Sequence, residues 1–177
     1  AWRFFDKHSV FQKIAADCGD KHYFLTGGTG LFGTWILMFF EWCHERDLSH
    51  PRVTALTRRD VLLPQKYITS LNGTIESFQR PDVSFDRLIH LAAPSARDTF
   101  GGMGDRAKLQ QMYLGTQNIL EFAAANVTGR CLFTSSGAVY GGFSSADVGL
   151  IDEANRAAPL SSTAGIGLGL GKRVAEF

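Results

Sequence analysis

The chain has 177 residues, 45% of them hydrophobic and 20% charged, enough to close one sizeable core and too apolar for a disordered tail. Its 18 Lys and Arg against 17 Asp and Glu leave a net charge of +1, so no global field holds a nucleic acid or an anionic membrane. The longest mainly apolar stretch, Leu31 to Trp42, falls well short of the ~20 residues a spanning helix needs. The opening AWRFFDKHSV lacks the basic and apolar regions of a secretory signal, and Ala1 in place of an initiator methionine leaves the natural start open. Cys18, Cys43 and Cys131 form no CxxC pair, which fits a reduced, cytoplasmic chain with core or surface thiols. His8, His22, His44, His50 and His90 form no HExxH spacing, so no metal is expected.

Residues 1 to 20 combine Phe4, Phe5, Val10, Phe11 and Ile14 with charge and end on Cys18-Gly19-Asp20, the pattern of a short helix closed by a glycine turn. The run His22-Tyr23-Phe24-Leu25-Thr26 then stops at two glycines, as a buried parallel strand does. Leu31, Trp35, Met38, Phe39 and Trp42 recur at three- and four-residue steps and share one helix face. Val53 to Leu56, Arg87 to Ala92 and Arg130 to Thr134 read as further strands. Between the last two, Leu109, Met112, Tyr113, Ile119, Leu120 and Ala123 keep helical spacing. From 60 to 85, Pro64, Asn72-Gly73 and Pro81 break the periodicity and leave at most one short strand, near Thr74 to Phe78. The segment Pro94 to Gly104 reads as a mobile loop at a strand's carboxyl end, where such folds bind ligands. Strands alternating with helices predict an α/β fold with a doubly wound parallel sheet.

Gly27-Gly28-Thr29-Gly30-Leu31-Phe32-Gly33 sets glycines at 27, 30 and 33 where a strand hands over to a helix. Such glycines permit a tight turn and let backbone N–H groups and the helix N-terminus approach a pyrophosphate. The same glycines also suit a turn that only packs helix against sheet. No Gly-Lys-Ser/Thr follows, so a Walker phosphate loop is excluded.

Five segments in order, Thr26 to Gly33, His90-Leu-Ala-Ala93, Gly115-Thr-Gln-Asn-Ile-Leu120, Thr134-Ser-Ser-Gly-Ala-Val-Tyr-Gly141 and Gly171-Lys-Arg-Val-Ala-Glu176, resemble the extended short-chain dehydrogenases/reductases. Within them the match is to the NAD-dependent epimerase/dehydratase group that acts on nucleotide sugars. The resemblance implies a Rossmann domain followed by a smaller C-terminal substrate domain. The chain stops about where that second domain should begin, so the expectation is an N-terminal part: a helical extension over 1–20 and a truncated NAD(P)-binding domain over 21–177. The resemblance also implies a homodimer, with the helix from about Asp105 to Ala125 and the one near Lys172 facing the partner. A stripe buried only against the sheet is the other reading of those helices.

The resemblance implies that Gly27, Gly30, Leu31, Phe32 and Gly33 surround the cofactor pyrophosphate, with Ala92 and Ala93 as small residues that let backbone approach it. The second strand reads Val53-Thr-Ala-Leu-Thr-Arg-Arg59, with no acid to meet a ribose 2′-hydroxyl; Arg58 instead suits a 2′-phosphate, which favours NADP over NAD. A solvated arginine beside an NAD site is the alternative. Where the family has a Gly-Asp pair after the third strand, Ser77-Phe78-Gln79-Arg80-Pro81 is expected here, so an adenine contact is not carried over. His90 is given no role.

In that family a Ser or Thr orients the substrate oxygen, a Tyr exchanges its proton with the substrate hydroxyl, and a Lys four residues on lowers the Tyr pKa and holds the nicotinamide ribose. The motifs place Ser136, beside Ser135, in the serine role and Lys172 in the lysine role. Ser136 as a turn cap and Lys172 as a solvated helix residue are the plainer readings. Leu168 stands where the tyrosine should be, in a run, Gly165-Ile-Gly-Leu-Gly-Leu-Gly171, whose alternation is nearer period two than helical. Three functions therefore stand open: an epimerase/dehydratase acting on a nucleotide sugar, an NADP-dependent carbonyl reductase of the same superfamily, and a noncatalytic NAD(P)-binding module.

Overall fold

The computed structural model describes residues 2–58, 67–95, 98, 100–141, 151–154, 158–159 and 165–177. The chain forms two compact units, one of residues 1–92 and 119–133, the other of 93–118 and 134–177.

The first unit holds a five-stranded sheet of β1 (His22–Thr26), β2 (Arg52–Thr57), β3 (Ile68–Asn72), β4 (Phe85–His90) and β5 (Val127–Phe133). The strands are all parallel and lie in the order β3-β2-β1-β4-β5. That order reverses direction between β1 and β4, the switch point beside which open parallel sheets of this kind bind ligands at the strands' carboxyl ends. Along β1 the side chains alternate between two cores. Tyr23 and Leu25 join a cluster with Leu37, Phe40 and Cys43 of helix α3 (Leu31–Glu45), whereas Phe24 joins Phe85, Leu88, Ile119 and Phe122. A strand buried on both faces has to be apolar throughout, which is why HYFLT is legible in the sequence.

Two short helices, α1 (Arg3–Asp6) and α2 (Ser9–Cys18), pack through Phe5, Ala15 and Cys18 into the α3 side of the core. Asp6 anchors α1: its carboxylate accepts from Trp42 Nε1 at 2.9 Å and from the Arg46 guanidinium at 2.7 and 3.0 Å. The bonds from Arg46 and Trp42 hold its pKa down at about 2. The α2 helix ends on Gly19 at φ +52°, a positive φ that glycine adopts without a Cβ clash.

The third strand differs from expectation. It is Ile68–Asn72, paired from Val53↔Ile68 to Thr57↔Asn72, and not Thr74 to Phe78. Only Ile68 of β3 is buried, so this outer strand carries no apolar run to betray it. Residues 74–77 form a tight turn closed by Thr74 and Ser77 backbone bonds, with one antiparallel bridge from Gly73 to Phe78. The final strand also begins earlier than its expected Arg130, at Val127, because its central residues are exposed and lack the apolar signal.

Helix α4 (Asp105–Asn126) contributes Ile119, Phe122 and Ala123 to the core of the first unit. In the expected loop at 94–104, Asp98 and Phe100 are helical. Ser95 and Asp98 explain it: the Ser95 amide donates to the Asp98 carboxylate at 2.8 Å and the Asp98 amide to Ser95 Oγ at 3.2 Å, the reciprocal bonding that starts a helical turn.

The second unit also contains a 3₁₀ turn (Gly137–Tyr140) and helix α5 (Gly167–Ala175). The glycine-rich run is thus helical, against its propensity, because its glycines are packing positions. A Cβ on Gly167 would lie 2.1 Å from the Asp105 carbonyl oxygen, and one on Gly171 would lie 2.6 Å from Met112 Cβ. On the opposite side of the helix, a Cβ on Gly169 would come within 2.4 Å of the Ala138 carbonyl. Asp105 supplies the cap that the sequence of α5 lacks, accepting from the Gly165 and Gly167 amides at 2.9 and 3.1 Å.

Candidate functional site

In the first unit the site is built where β1 ends. Gly27 has φ +74°, and a Cβ there would stand 2.7 Å from the Ala92 amide nitrogen, so only glycine lets the turn lie against the exit of β4. Gly33 is tighter still: its Cβ would be 2.2 Å from the Gly27 carbonyl oxygen and 2.5 Å from Gly28 Cα. The Gly30 amide donates to the Gly27 carbonyl at 3.0 Å, which closes the turn. Gly30 then caps α3 with no side chain over the helix end.

The amides of Leu31 and Phe32 therefore open the positive end of α3, while their side chains are 73% and 67% exposed. A bare helix N-terminus, beside a glycine turn with no room for a Cβ, fits a pyrophosphate.

Thr26, which the sequence reading did not single out, braces this turn. Its buried hydroxyl lies 2.6 Å from His90 Nδ1 and accepts the Ala92 amide at 3.2 Å, while its carbonyl accepts the Leu91 amide. The hint was in the motif, where a hydroxyl residue immediately precedes the glycines. His90 is buried and packs against Phe133. Arg58 is exposed, directly past β2, whose Leu56 pairs with Thr26. With β3 ending at Asn72, the residues following the third strand are Gly73-Thr74-Ile75-Glu76 and not 77–81; Gly73 donates to the Thr57 carbonyl at 2.9 Å.

Ala93, Ser136 and Lys172 belong to the second unit. Ser136 caps the 3₁₀ turn, its Oγ accepting the Ala138 amide at 3.2 Å. Lys172 is not a solvated lysine: it is 3% exposed, and its Nζ donates to the Thr134 carbonyl at 2.5 Å. Burial lowers its pKa to about 8. Leu168 is half-buried one turn before it on α5, so the two side chains share a helix face. Tyr140 donates to the Glu153 carboxylate at 3.1 Å, and that acceptor raises the phenol's pKa, the opposite of what a proton-abstracting tyrosine needs. Ser135 donates to Glu176. Among the described residues no group of His, Cys, Asp and Glu is arranged to hold a metal, and no helix is long and apolar enough to cross a membrane.

The depressed lysine makes a prediction about stability. An unfolded lysine titrates near 10.5 and Lys172 near 8, so between these values the unfolded chain binds the extra proton. Stability from this group rises with pH through that window and is lowest below it. Lys172→Met is expected to raise the unfolding free energy by about 1–3 kcal/mol at pH 7, with the gain shrinking toward zero as pH approaches 10.5. Urea unfolding of both proteins at pH 7 and pH 10 measures it; destabilisation at pH 7 would show that the bond to Thr134 outweighs the burial cost.

The sequence model of the NAD-dependent epimerase/dehydratase family matches residues 23–164. The chain belongs to this family. No curated protein matches it. Among solved structures, this epimerase/dehydratase-family chain is similar to MoeE5 in complex with UDP-glucose and NAD, at 26% identity over 88% of this chain and 46% of that one, TM-score 0.64. It shares its fold with ADP-L-glycero-D-manno-heptose-6-epimerase of Helicobacter pylori, at 18% identity over 90% of this chain and 50% of that one, TM-score 0.66. The same holds for the dTDP-glucose 4,6-dehydratase DesIV of Streptomyces venezuelae, at 20% identity over 88% and 49%, TM-score 0.68. The chain spans about half the length of these proteins. The family match ends before Leu168 and Lys172, so it covers the glycine turn and Ser136 and not α5.

Proposed function

We propose that this chain is the NAD-binding part of an epimerase/dehydratase-type enzyme that acts on a nucleotide sugar by hydride transfer, with residues 1–20 as a helical extension and 21–177 as the nucleotide-binding domain. The observation that carries the reading is the bare N-terminus of α3, held by Gly27 and Gly33 at the sheet's switch point. The similarity to MoeE5, a structure with UDP-glucose and NAD, supports both cofactor and substrate class. NAD, when bound, would take up and return the sugar's hydride. The amides of Leu31 and Phe32 would hold its pyrophosphate, the backbone at Ala92 and Ala93 would lie along it, and Lys172, largely protonated at pH 7 with a pKa of about 8, would hold the ribose. Ser136 would orient the substrate oxygen through the hydroxyl that caps its turn. A cytoplasmic location and a homodimer packed through α4 and α5, where Tyr113, Leu114 and Val174 are exposed, belong to the same reading; light scattering tests the dimer.

Calorimetric titration of the chain with NADH and, separately, NADPH is the direct test. Saturable binding of either is expected, and binding of neither would leave the glycine turn a packing device. Arg58 decides the preference. If it pairs with a 2′-phosphate, Arg58→Ala weakens NADPH about tenfold or more and leaves NADH nearly unchanged; equal loss for both removes the NADP argument and, with it, the carbonyl-reductase alternative. Leu168 favours a second reading, a module that binds the cofactor without turnover, because the lysine face of α5 carries no proton donor one turn before Lys172.

A further inference from the structure

Thr26 is fully buried, and among the described residues its hydroxyl meets two groups, His90 Nδ1 at 2.6 Å and the Ala92 amide at 3.2 Å. The sheet brings the three together, since Thr26 and His90 are register partners on β1 and β4 and Ala92 lies two residues past His90. An amide nitrogen can only donate, so Ala92 takes a lone pair of the hydroxyl oxygen. The hydroxyl's own proton then has one acceptor, His90 Nδ1. Were Nδ1 to carry a proton, two donors would face one oxygen and the hydroxyl proton would be buried without a partner, which native interiors avoid. His90 is therefore neutral and protonated at Nε2.

The ring is itself held in place. His90 is 1% exposed and packs against Phe133 of β5, with ring centroids 5.6 Å apart. Past His90 the chain lies directly on the glycine turn: a Cβ on Gly27 would stand 2.7 Å from the Ala92 nitrogen and 2.9 Å from the Leu91 carbonyl carbon. With no side chain on Gly27 to set that spacing, hydrogen bonds to Thr26 set it, one from the Leu91 amide to its carbonyl and one from the Ala92 amide to its hydroxyl. The second of these is aimed by His90.

We propose that His90 is a positioning residue of the glycine turn: as the Nε2–H tautomer it takes the Thr26 proton, turns the hydroxyl oxygen to the Ala92 amide and so fixes the exit of β4 against Gly27. This role rests on the reading of the turn as the pyrophosphate site. His90 acts there through Thr26 and Ala92.

The test sets two variants that delete the bond beside two that keep it. His90→Leu removes the ring acceptor and Thr26→Val the hydroxyl, each at nearly unchanged volume. His90→Asn can place Oδ1 where Nδ1 stood, and Thr26→Ser keeps the hydroxyl. Calorimetric titration with NADH should find the first pair weakened about tenfold or more and the second pair within about threefold of the parent chain. The double variant His90→Leu with Thr26→Val should bind no worse than Thr26→Val alone, because both act through one hydrogen bond. In the parent chain, long-range proton–nitrogen NMR correlations of the imidazoles should show His90 protonated at Nε2 and bare at Nδ1, the ring being assigned by its loss in His90→Asn. A proton on Nδ1 overturns the proposal, as does NADH binding that His90→Leu leaves intact or that His90→Asn fails to restore. Should His90→Leu not fold, the Thr26 pair and the parent spectrum decide. A parent chain that binds no NADH instead removes the pyrophosphate reading, and the positioning role with it.

Discussion

Gly33→Ala is expected to abolish NADH binding and to lower the unfolding free energy by about 3 kcal/mol or more. The added Cβ would stand 2.2 Å from the Gly27 carbonyl oxygen and 2.5 Å from Gly28 Cα. These are backbone atoms of the turn itself, so no side chain can swing aside to relieve the overlap. Either α3 lifts away from β1 or the turn opens, and both outcomes move the Leu31 and Phe32 amides that would meet the pyrophosphate. Gly137→Ala is the matched control: a Cβ there meets nothing within 4 Å, and the change should stay within about 0.5 kcal/mol. Urea unfolding and NADH titration of the two variants measure the contrast. A Gly33→Ala protein that binds NADH normally would show that the helix end is not the phosphate site.

Leu168→Tyr is the substitution expected to raise chemistry the most. Leu168 lies one turn before Lys172 on α5, half-buried, and a phenol there would share the lysine's face of the helix. At pH 7 most of Lys172 carries its proton, given a pKa of about 8. Its ammonium would favour the tyrosinate and pull the new phenol below the usual value near 10. Positioned acid–base catalysis contributes about 10²–10⁴ in rate, so on the proposed enzyme reading any turnover of a nucleotide sugar with NAD should rise by at least about 10². Ultraviolet titration of the introduced tyrosine gives a readout independent of activity. A depressed phenol pKa without turnover would place the defect elsewhere in the site, and an ordinary pKa would show that the two side chains do not communicate.

The two helices that carried the sequence argument had opposite fortunes. Leu31 to Trp42 is legible as a helix because its apolar residues repeat at helical steps, but of the stripe they suggest only Phe39 and Trp42 are buried; Leu31 and Trp35 are exposed, and Leu37, Phe40 and Cys43 complete the buried face. The run from Gly165 to Gly171 looks like a poor helix by propensity and periodicity, because neither records a helix in which glycine is the interface. The strands divide the same way. β1 was legible because both its faces are core, whereas β3, with Ile68 as its buried residue, was displaced to 74–78. Its placement depends on hydrogen bonds to β2, which ask little of the side chains.

Site residues follow the same division. Gly27, Gly30 and Gly33 could be named from sequence because a backbone turn is a local object, with its chemistry written in consecutive residues. The roles of Thr26 and Asp105 are not legible in sequence, since the partners of Thr26 at His90 and Ala92 and those of Asp105 at Gly165 and Gly167 are 60 to 66 positions away. The sequence by itself determined the alternation of strands and helices, the glycine turn and the absence of a tyrosine four residues before Lys172. Tertiary structure alone decided that Lys172 is buried against a backbone carbonyl, that Ser136 spends its hydroxyl on a turn, and that α5 exists at all. Periodicity and turn chemistry act between near neighbours, whereas burial and close helix contact depend on which distant residues arrive in the same place.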